Sequence, residues 1–116
     1  MFVQVITIRV PMGTMKSFRS LIDAGYLAVA CGQPGFVRGY LLEQVDDPDQ
    51  AQLVQVWAIQ PALENFRKSG TMDQLFQDLH RALPGLSVQS QSYDLIAPTQ
   101  TYAASNCANV TFSKLI

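Results

Sequence analysis

Between Pro34 and Leu83 the chain reads PGFVRGYLLEQ, VDDPDQA, QLVQVWAIQ and PALENFRKSGTMDQLFQDLHRAL. Two apolar segments of strand length flank a short polar loop, and an amphipathic helix starts where the second ends. Pro61 suits the first helical turn, where its missing backbone N–H costs nothing. Gly70 interrupts the helix, and the Thr71/Gln74 spacing predicts a capping box that restarts it. Met72, Leu75, Phe76, Leu79 and Leu83 then share one face. A hairpin that runs straight into a two-part helix restricts the chain to layered α+β architectures.

The flanking sequence completes the pattern. Phe2 to Val10 is rich in β-branched residues and stops at Pro11, which predicts strand one. Val3 and Val5 take one face of it, and Ile6, Ile8 and Val10 the other. Thr14 is positioned to cap helix one, whose inner stripe is Met15, Phe18, Ile22, Tyr26 and Val29, and Gln33-Pro34-Gly35 ends it near Ala30. Ala24, Gly25 and Ala28 leave one side smooth, which favours close packing of this helix on the sheet. Strand two covers Phe36 to Gln44, and strand three covers Gln52 to Ile59. After Pro84-Gly85, Leu86 to Ile96 reads as strand four. The order β-α-β-β-α-β predicts a ferredoxin-like α+β fold, a four-stranded antiparallel sheet with both helices on one face. The opposite face stays apolar and uncovered, so two copies are expected to pack sheet to sheet around a barrel-like interior. Residues 1–96 then form one domain. Residues 97–116 form a tail whose Val110-Thr111-Phe112 is expected to pair with a sheet edge of the partner.

Composition narrows the function. Hydrophobic residues are 48% of the chain and charged residues only 15%, which leaves apolar surface for a second copy to cover. The net charge is −1, and no run of Lys and Arg forms a nucleic-acid footprint. No apolar run is long enough to span a bilayer, and nothing resembles a secretory signal. Cys31 and Cys107 are too few and too far apart for a metal site or a disulfide framework, and two isolated thiols fit the cytoplasm. Asp46-Asp47-Pro48-Asp49 reads as a solvated hairpin tip, since a calcium loop requires alternating ligands and a later glutamate.

PGFVRGYLLEQ followed by LVQVWAIQPALENFRKSG resembles the antibiotic biosynthesis monooxygenase-like domains of the dimeric α/β barrel superfamily. The shared features are Pro-Gly-Phe before strand two, Val-Trp at the end of strand three, and a following helix with Ala-Leu-Glu-x-Phe. The resemblance spans about residues 2–96, and the tail has no counterpart in it. It implies the ferredoxin-like fold, a homodimer and a set of activities that includes cofactor-free oxygenases, quinol oxidases and haem-degrading enzymes. The haem-degrading branch uses an asparagine in strand one and a tryptophan and a histidine in helix two. The matching positions here are Thr7, Phe66 and Phe76, so haem degradation is not expected.

A cofactor-free oxygenase draws its electrons from an electron-rich phenol or enol. Its site needs a dry apolar pocket, a proton acceptor and a donor for developing negative charge. Tyr26, Trp57, Phe66 and Phe76 are the candidate substrate-binding residues, lining a cleft between helices and sheet together with Phe18 and Leu79. His80, the only histidine, is the candidate base because its ordinary pKa suits proton transfer near neutrality. Its structural alternative is a helix-end cation beside Arg81, and that of Trp57 is a core filler between strand three and helix two. Arg9, Arg38 and Tyr40 are oxyanion donors or partners for Glu43 and Glu64. The expected function is a small monooxygenase without metal, flavin or other cofactor, acting on an aromatic, phenolic or quinol-like molecule. A non-catalytic dimeric ligand-binding or stress-regulatory module is the second reading.

Overall fold

The computed structural model describes residues 1–96. The expectations for the tail lie outside the described residues. Strands β1 (Phe2–Arg9), β2 (Phe36–Glu43), β3 (Gln50–Trp57) and β4 (Ser87–Asp94) form one antiparallel sheet in the order β2-β3-β1-β4. The helices are α1 (Met15–Leu21), a π-helical segment (Ile22–Leu27), α2 (Ala28–Ala30), α3 (Gln60–Lys68) and α4 (Thr71–Ala82). This is the ferredoxin-like α+β fold. Among the described residues, no helix is long and apolar enough to cross a membrane.

The two-residue period of β1 builds the core. Phe2, Ile6 and Ile8 are buried beneath the helices, while Val3, Val5 and Thr7 lie on the opposite, half-buried face. In β3, Ala51, Leu53 and Trp57 take the helix side. Register aligns Phe2 with Trp57 and Val5 with Val54, so like meets like across the two central strands. Phe18 and Ile22 from the first helical stretch, and Leu63, Phe66 and Leu79 from the second, close this layer. The shift between Phe36 and Arg38 leaves Val37 without a register partner at the start of β2.

Helix one departs from the sequence reading in a useful way. Its buried positions are Met15, Phe18, Ile22, Tyr26 and Ala30, with Val29 only half-buried. Steps of four residues advance about 400°, so in a regular α-helix the stripe would drift about 40° at each step. The π-helical segment widens the turn where those steps occur and keeps the stripe on the sheet. Contrary to the expectation from their size, Ala24 and Ala28 do not pack on the sheet but are exposed. Gly25 is half-buried, and a methyl group there would meet nothing within 4 Å.

The second helix breaks at Gly70 as expected, but by another device. Gly70 takes a left-handed conformation (φ 81°), and the Gln74 amide donates to its carbonyl. Thr71 is already helical and makes no capping bond, and the Gln74 side chain donates to Asp78 instead. Gly35 also has positive φ, and a Cβ there would lie 2.5 Å from that of Ala62. Glycine at this point lets the entry to β2 pass against α3. The carbonyl of Gly35 accepts from Ala58 at 2.8 Å.

The acidic hairpin tip carries structural ion pairs. Arg9 donates to Asp47 at 2.6 Å, and the Asp49 carboxylate accepts from the Gly13 amide. Arg19 grips Glu43 through two bonds of 2.6 and 2.9 Å, tying α1 to the end of β2. Those bonds hold the Glu43 carboxyl below its usual range. A carboxyl depressed in the folded state adds stability above its unfolded pKa and loses it as pH falls through the folded value. Glu43→Gln should therefore lower the melting temperature slightly at neutral pH, with the gap closing below about pH 4. A thermal scan at pH 7 and pH 3 checks this, and an equal gap at both would show that charge is not the cause.

Candidate functional site

Trp57 is the last residue of β3, and its ring is fully buried. It stands edge-on to Phe36 at 5.2 Å between ring centroids and lies 5.7 Å from Phe66. Its indole N–H finds no hydrogen-bond partner among the described residues. An unmet buried donor costs about 1–3 kcal/mol, so an unpaired N–H among aromatic rings requires a reason to be there.

Two residues before Trp57, on the same face of β3, Gln55 is also fully buried. Its neighbour across the ladder is Gln4 of β1, 2% exposed. The Tyr26 hydroxyl, from the π-helical segment, donates to Oε1 of Gln55 at 3.1 Å. Nε2 of Gln55 donates to Oε1 of Gln4 at 3.2 Å, and Nε2 of Gln4 donates to the Ser90 hydroxyl at 3.1 Å. A single line of hydrogen bonds thus crosses the apolar layer from helix one to β4. Burial pushes the Tyr26 phenol well above its usual pKa, although the bond to Gln55 and the charge of Arg67 pull the other way. Tyr26 is consequently a neutral phenol at working pH and no base.

The structure brings the four aromatic candidates together. Tyr26 lies 5.0 Å from Phe76 and 6.3 Å from Phe66, centroid to centroid, and Phe66 leads on to Trp57. Beside Tyr26 a cavity of about 120 Å³ opens between helix one and α4, walled by Ile22, Gly25, Leu75 and Leu79. Asp78 stands on its rim, where its carboxylate accepts from Arg81 at 3.1 Å and Gln74 at 2.9 Å. The rest of the expected cleft is filled by the candidate rings themselves.

His80 is exposed in the last turn of α4, beside Arg81. It is not among the residues that line the cavity. Arg9 and Arg38 lie on the sheet face away from the helices, where Arg38 donates to the Tyr40 hydroxyl at 3.0 Å. Glu43 and Glu64 pair with Arg19 and Arg67 instead. Among the described residues, no group of three His, Cys, Asp or Glu side chains is placed to hold a metal ion.

The sequence reading missed Gln4, Gln55 and Asp78. The two glutamines had a signal. Gln4 shares the parity of Ile6 and Ile8, and Gln55 that of Leu53 and Trp57, so each is a polar residue in an inward row. Asp78 had none, because a charge one position from an apolar stripe is ordinary.

The family model for antibiotic biosynthesis monooxygenase matches residues 1–81. No curated protein sequence matches the chain. Among solved structures, the chain is similar to a Deinococcus radiodurans protein provisionally named an antibiotic biosynthesis monooxygenase. The TM-score is 0.75 at 12% identity, over 89% of this chain and 100% of the other. It is also similar to SnoaB, a cofactor-independent oxygenase from Streptomyces nogalater, with TM-score 0.69 and 21% identity over 85% of this chain and 97% of SnoaB. A conserved protein from Methanosarcina mazei aligns with TM-score 0.67 and 14% identity, over 82% and 93% of the respective chains.

Proposed function

The chain belongs to the antibiotic biosynthesis monooxygenase family, and on that premise we propose that it is a cytoplasmic, homodimeric oxygenase. It acts without cofactor on a small phenolic or quinol-like ring. The observation that carries this reading is the unpartnered N–H of Trp57 at the end of an aromatic-walled interior. In such chemistry an ionised phenol passes one electron to dioxygen, and the ring radical and superoxide combine at carbon. The resulting peroxide loses water, so a phenol and O₂ become a quinone and H₂O, the water's two hydrogens coming from the ring C–H and the phenol O–H. Each oxygen-centred anion on that path is stabilised by a fixed donor in a dry site. Trp57 is the donor in this reading; like Phe66 and Phe76 it does not line the cavity beside Tyr26, so the ring must displace Phe66 or Phe76 to reach it.

The cavity also speaks to the size of the ligand. At about 120 Å³ it is close to the roughly 150 Å³ of an apolar cavity known to accept benzene. The volume is of the order of a single ring. Asp78 on the rim is the nearest carboxylate to receive a proton, while His80 has no part in this reading. SnoaB, a fold relative described as cofactor-independent, supports the reading that the substrate itself supplies the electrons.

Dimerisation follows from the bare sheet face. Register places Tyr40, Val54, Val5 and Gln91 in one row and Arg38, Val56, Val3 and Tyr93 in the next. Among the described residues no helix covers these rows, whose middle is four valines. An unpaired thiol at Cys31 fits a reducing cytoplasm.

The filled interior by itself favours the second reading, a dimeric module that binds a ligand without turnover. Oxygen uptake separates the two. The purified protein, treated with chelator, should consume oxygen with at least one of a panel of single-ring phenols and hydroquinones, above the rate of their autoxidation. Retention of such a ring with no uptake across the panel would leave the binding module as the function.

A further inference from the structure

We propose that the polar end of the bare sheet face is a ligand site of its own, which takes a small hydroxylated carboxylic acid in its ionised form. The site is separate from the aromatic interior and goes beyond the oxygenase reading.

The bare face changes character along its strands. Next to the valine rows, register sets Thr7 between Gln52 and Gln89, and the row after that sets Arg9 between Gln50 and Ser87. At about 3.4 Å per residue, Arg9 lies roughly 14 Å from Val5 along β1. A partner pressed flat on these hydroxyls, carboxamides and guanidinium would have to satisfy each of them. The valine rows suit a packed interface, whereas this end calls for water or a polar ligand. A depression of about 430 Å³ lies here, lined by Thr7, Arg9, Gln50, Ser87, Val88 and Gln89. Its volume is within the range of small-molecule sites and well above that of the cavity beside Tyr26.

The chemistry of the lining selects the ligand. A guanidinium can only donate, and Nη2 of Arg9 donates to Asp47 and to Oε1 of Gln50, each at 2.6 Å. That bond fixes which way round the Gln50 amide stands. Its oxygen is committed to Arg9, and its NH₂ end is left to give. The bonds from Nη2 leave the donors on Nη1 and Nε of Arg9 for another acceptor, and the side chain is half exposed. Among the described residues no carboxylate lines the depression, and Asp47 itself does not. Donors with no opposing anion favour an oxyanion, and a carboxylate offers two acceptors to Arg9 and Gln50 together. One guanidinium, already shared with Asp47, balances a single negative charge better than a phosphate dianion. Thr7, Ser87 and Gln89 can each give and accept, which matches hydroxyl groups on the rest of the ligand. Val88 is the one apolar residue in the lining, so a hydrophobic body gains little there.

Calorimetric titration at constant ionic strength tests the inference, with gluconate as the probe and glucose as its uncharged counterpart. The unmodified protein should bind gluconate at least about tenfold more tightly than glucose, the worth of one hydrogen bond to a charged group. Gln50→Glu is the decisive variant. Its carboxylate still accepts from Arg9, so the brace between β1 and β3 stays, but an anionic oxygen replaces the NH₂. Gluconate should then bind at least about tenfold more weakly, with the melting temperature unchanged or raised. Should that variant fold poorly, Gln89→Leu, at an exposed position, removes a hydroxyl partner and should weaken gluconate severalfold. No binding of gluconate to the unmodified protein, equal binding of glucose, tighter binding of inorganic phosphate, or an unchanged affinity in a folded variant would overturn the inference.

Discussion

Trp57→Phe should slow oxygen uptake about 10²–10³-fold, the loss that follows removal of one buried donor to a developing oxyanion. The substitution keeps a ring between Phe36 and Phe66 and removes the N–H that has no partner. Its stability effect is a difference of two terms. Losing an unsatisfied donor returns about 1–3 kcal/mol, while the smaller ring leaves a void that costs a similar amount. The melting temperature should therefore move little while the rate collapses. The drop should fall on kcat and kcat/KM alike, because the bond is made to charge that exists only during reaction. A variant with full turnover would return Trp57 to core filling and remove the observation on which the proposed function rests.

The next largest effect is expected on the far side of the sheet. Val54 is the centre of the uncovered rows, flanked in register by Val5 and Tyr40. In a two-fold dimer, Val54→Asp places a carboxylate in the interface twice. An uncompensated buried charge costs several kcal/mol. At about 1.4 kcal/mol per factor of ten, the pair should weaken association by on the order of 10⁴-fold. Light scattering at micromolar concentration should report a dimer for the unmodified chain and a monomer for the variant, with unchanged far-UV circular dichroism. A monomeric unmodified chain would end the proposal of dimerisation outright.

The layers were legible because each rests on a short-range rule. Alternation in Phe2–Arg9 and Gln50–Trp57 assigns faces, Pro61 opens a helix, and Gly70 breaks it, whatever the rest of the chain does. The site was legible only in part. Tyr26, Trp57, Phe66 and Phe76 do converge, since large apolar residues on facing stripes have nowhere else to go. What periodicity cannot show is how a polar side chain is satisfied. Gln4 and Gln55 meet only because β1 and β3 pair in one register, and Tyr26 reaches them only because the helix widens beneath it. His80 stood out by chemistry, yet a single step around the helix from Leu79 turns it to solvent. Ala24 and Ala28 were read by size alone, and the four-residue spacing of the buried stripe turned them outward.

The wide turn at Ile22–Leu27 has a mechanical meaning as well. A regular α-helix is a stiff rod in which a twist at one end is felt at the other. Here the rod is cut by a looser collar, with Met15 and Phe18 anchored on one side and Ala30 on the other. Gly25 and Tyr26 sit on that collar and form part of the cavity wall. The cavity wall thus lies on the most loosely wound turn of the helix, while buried residues at both ends fasten that helix to the sheet.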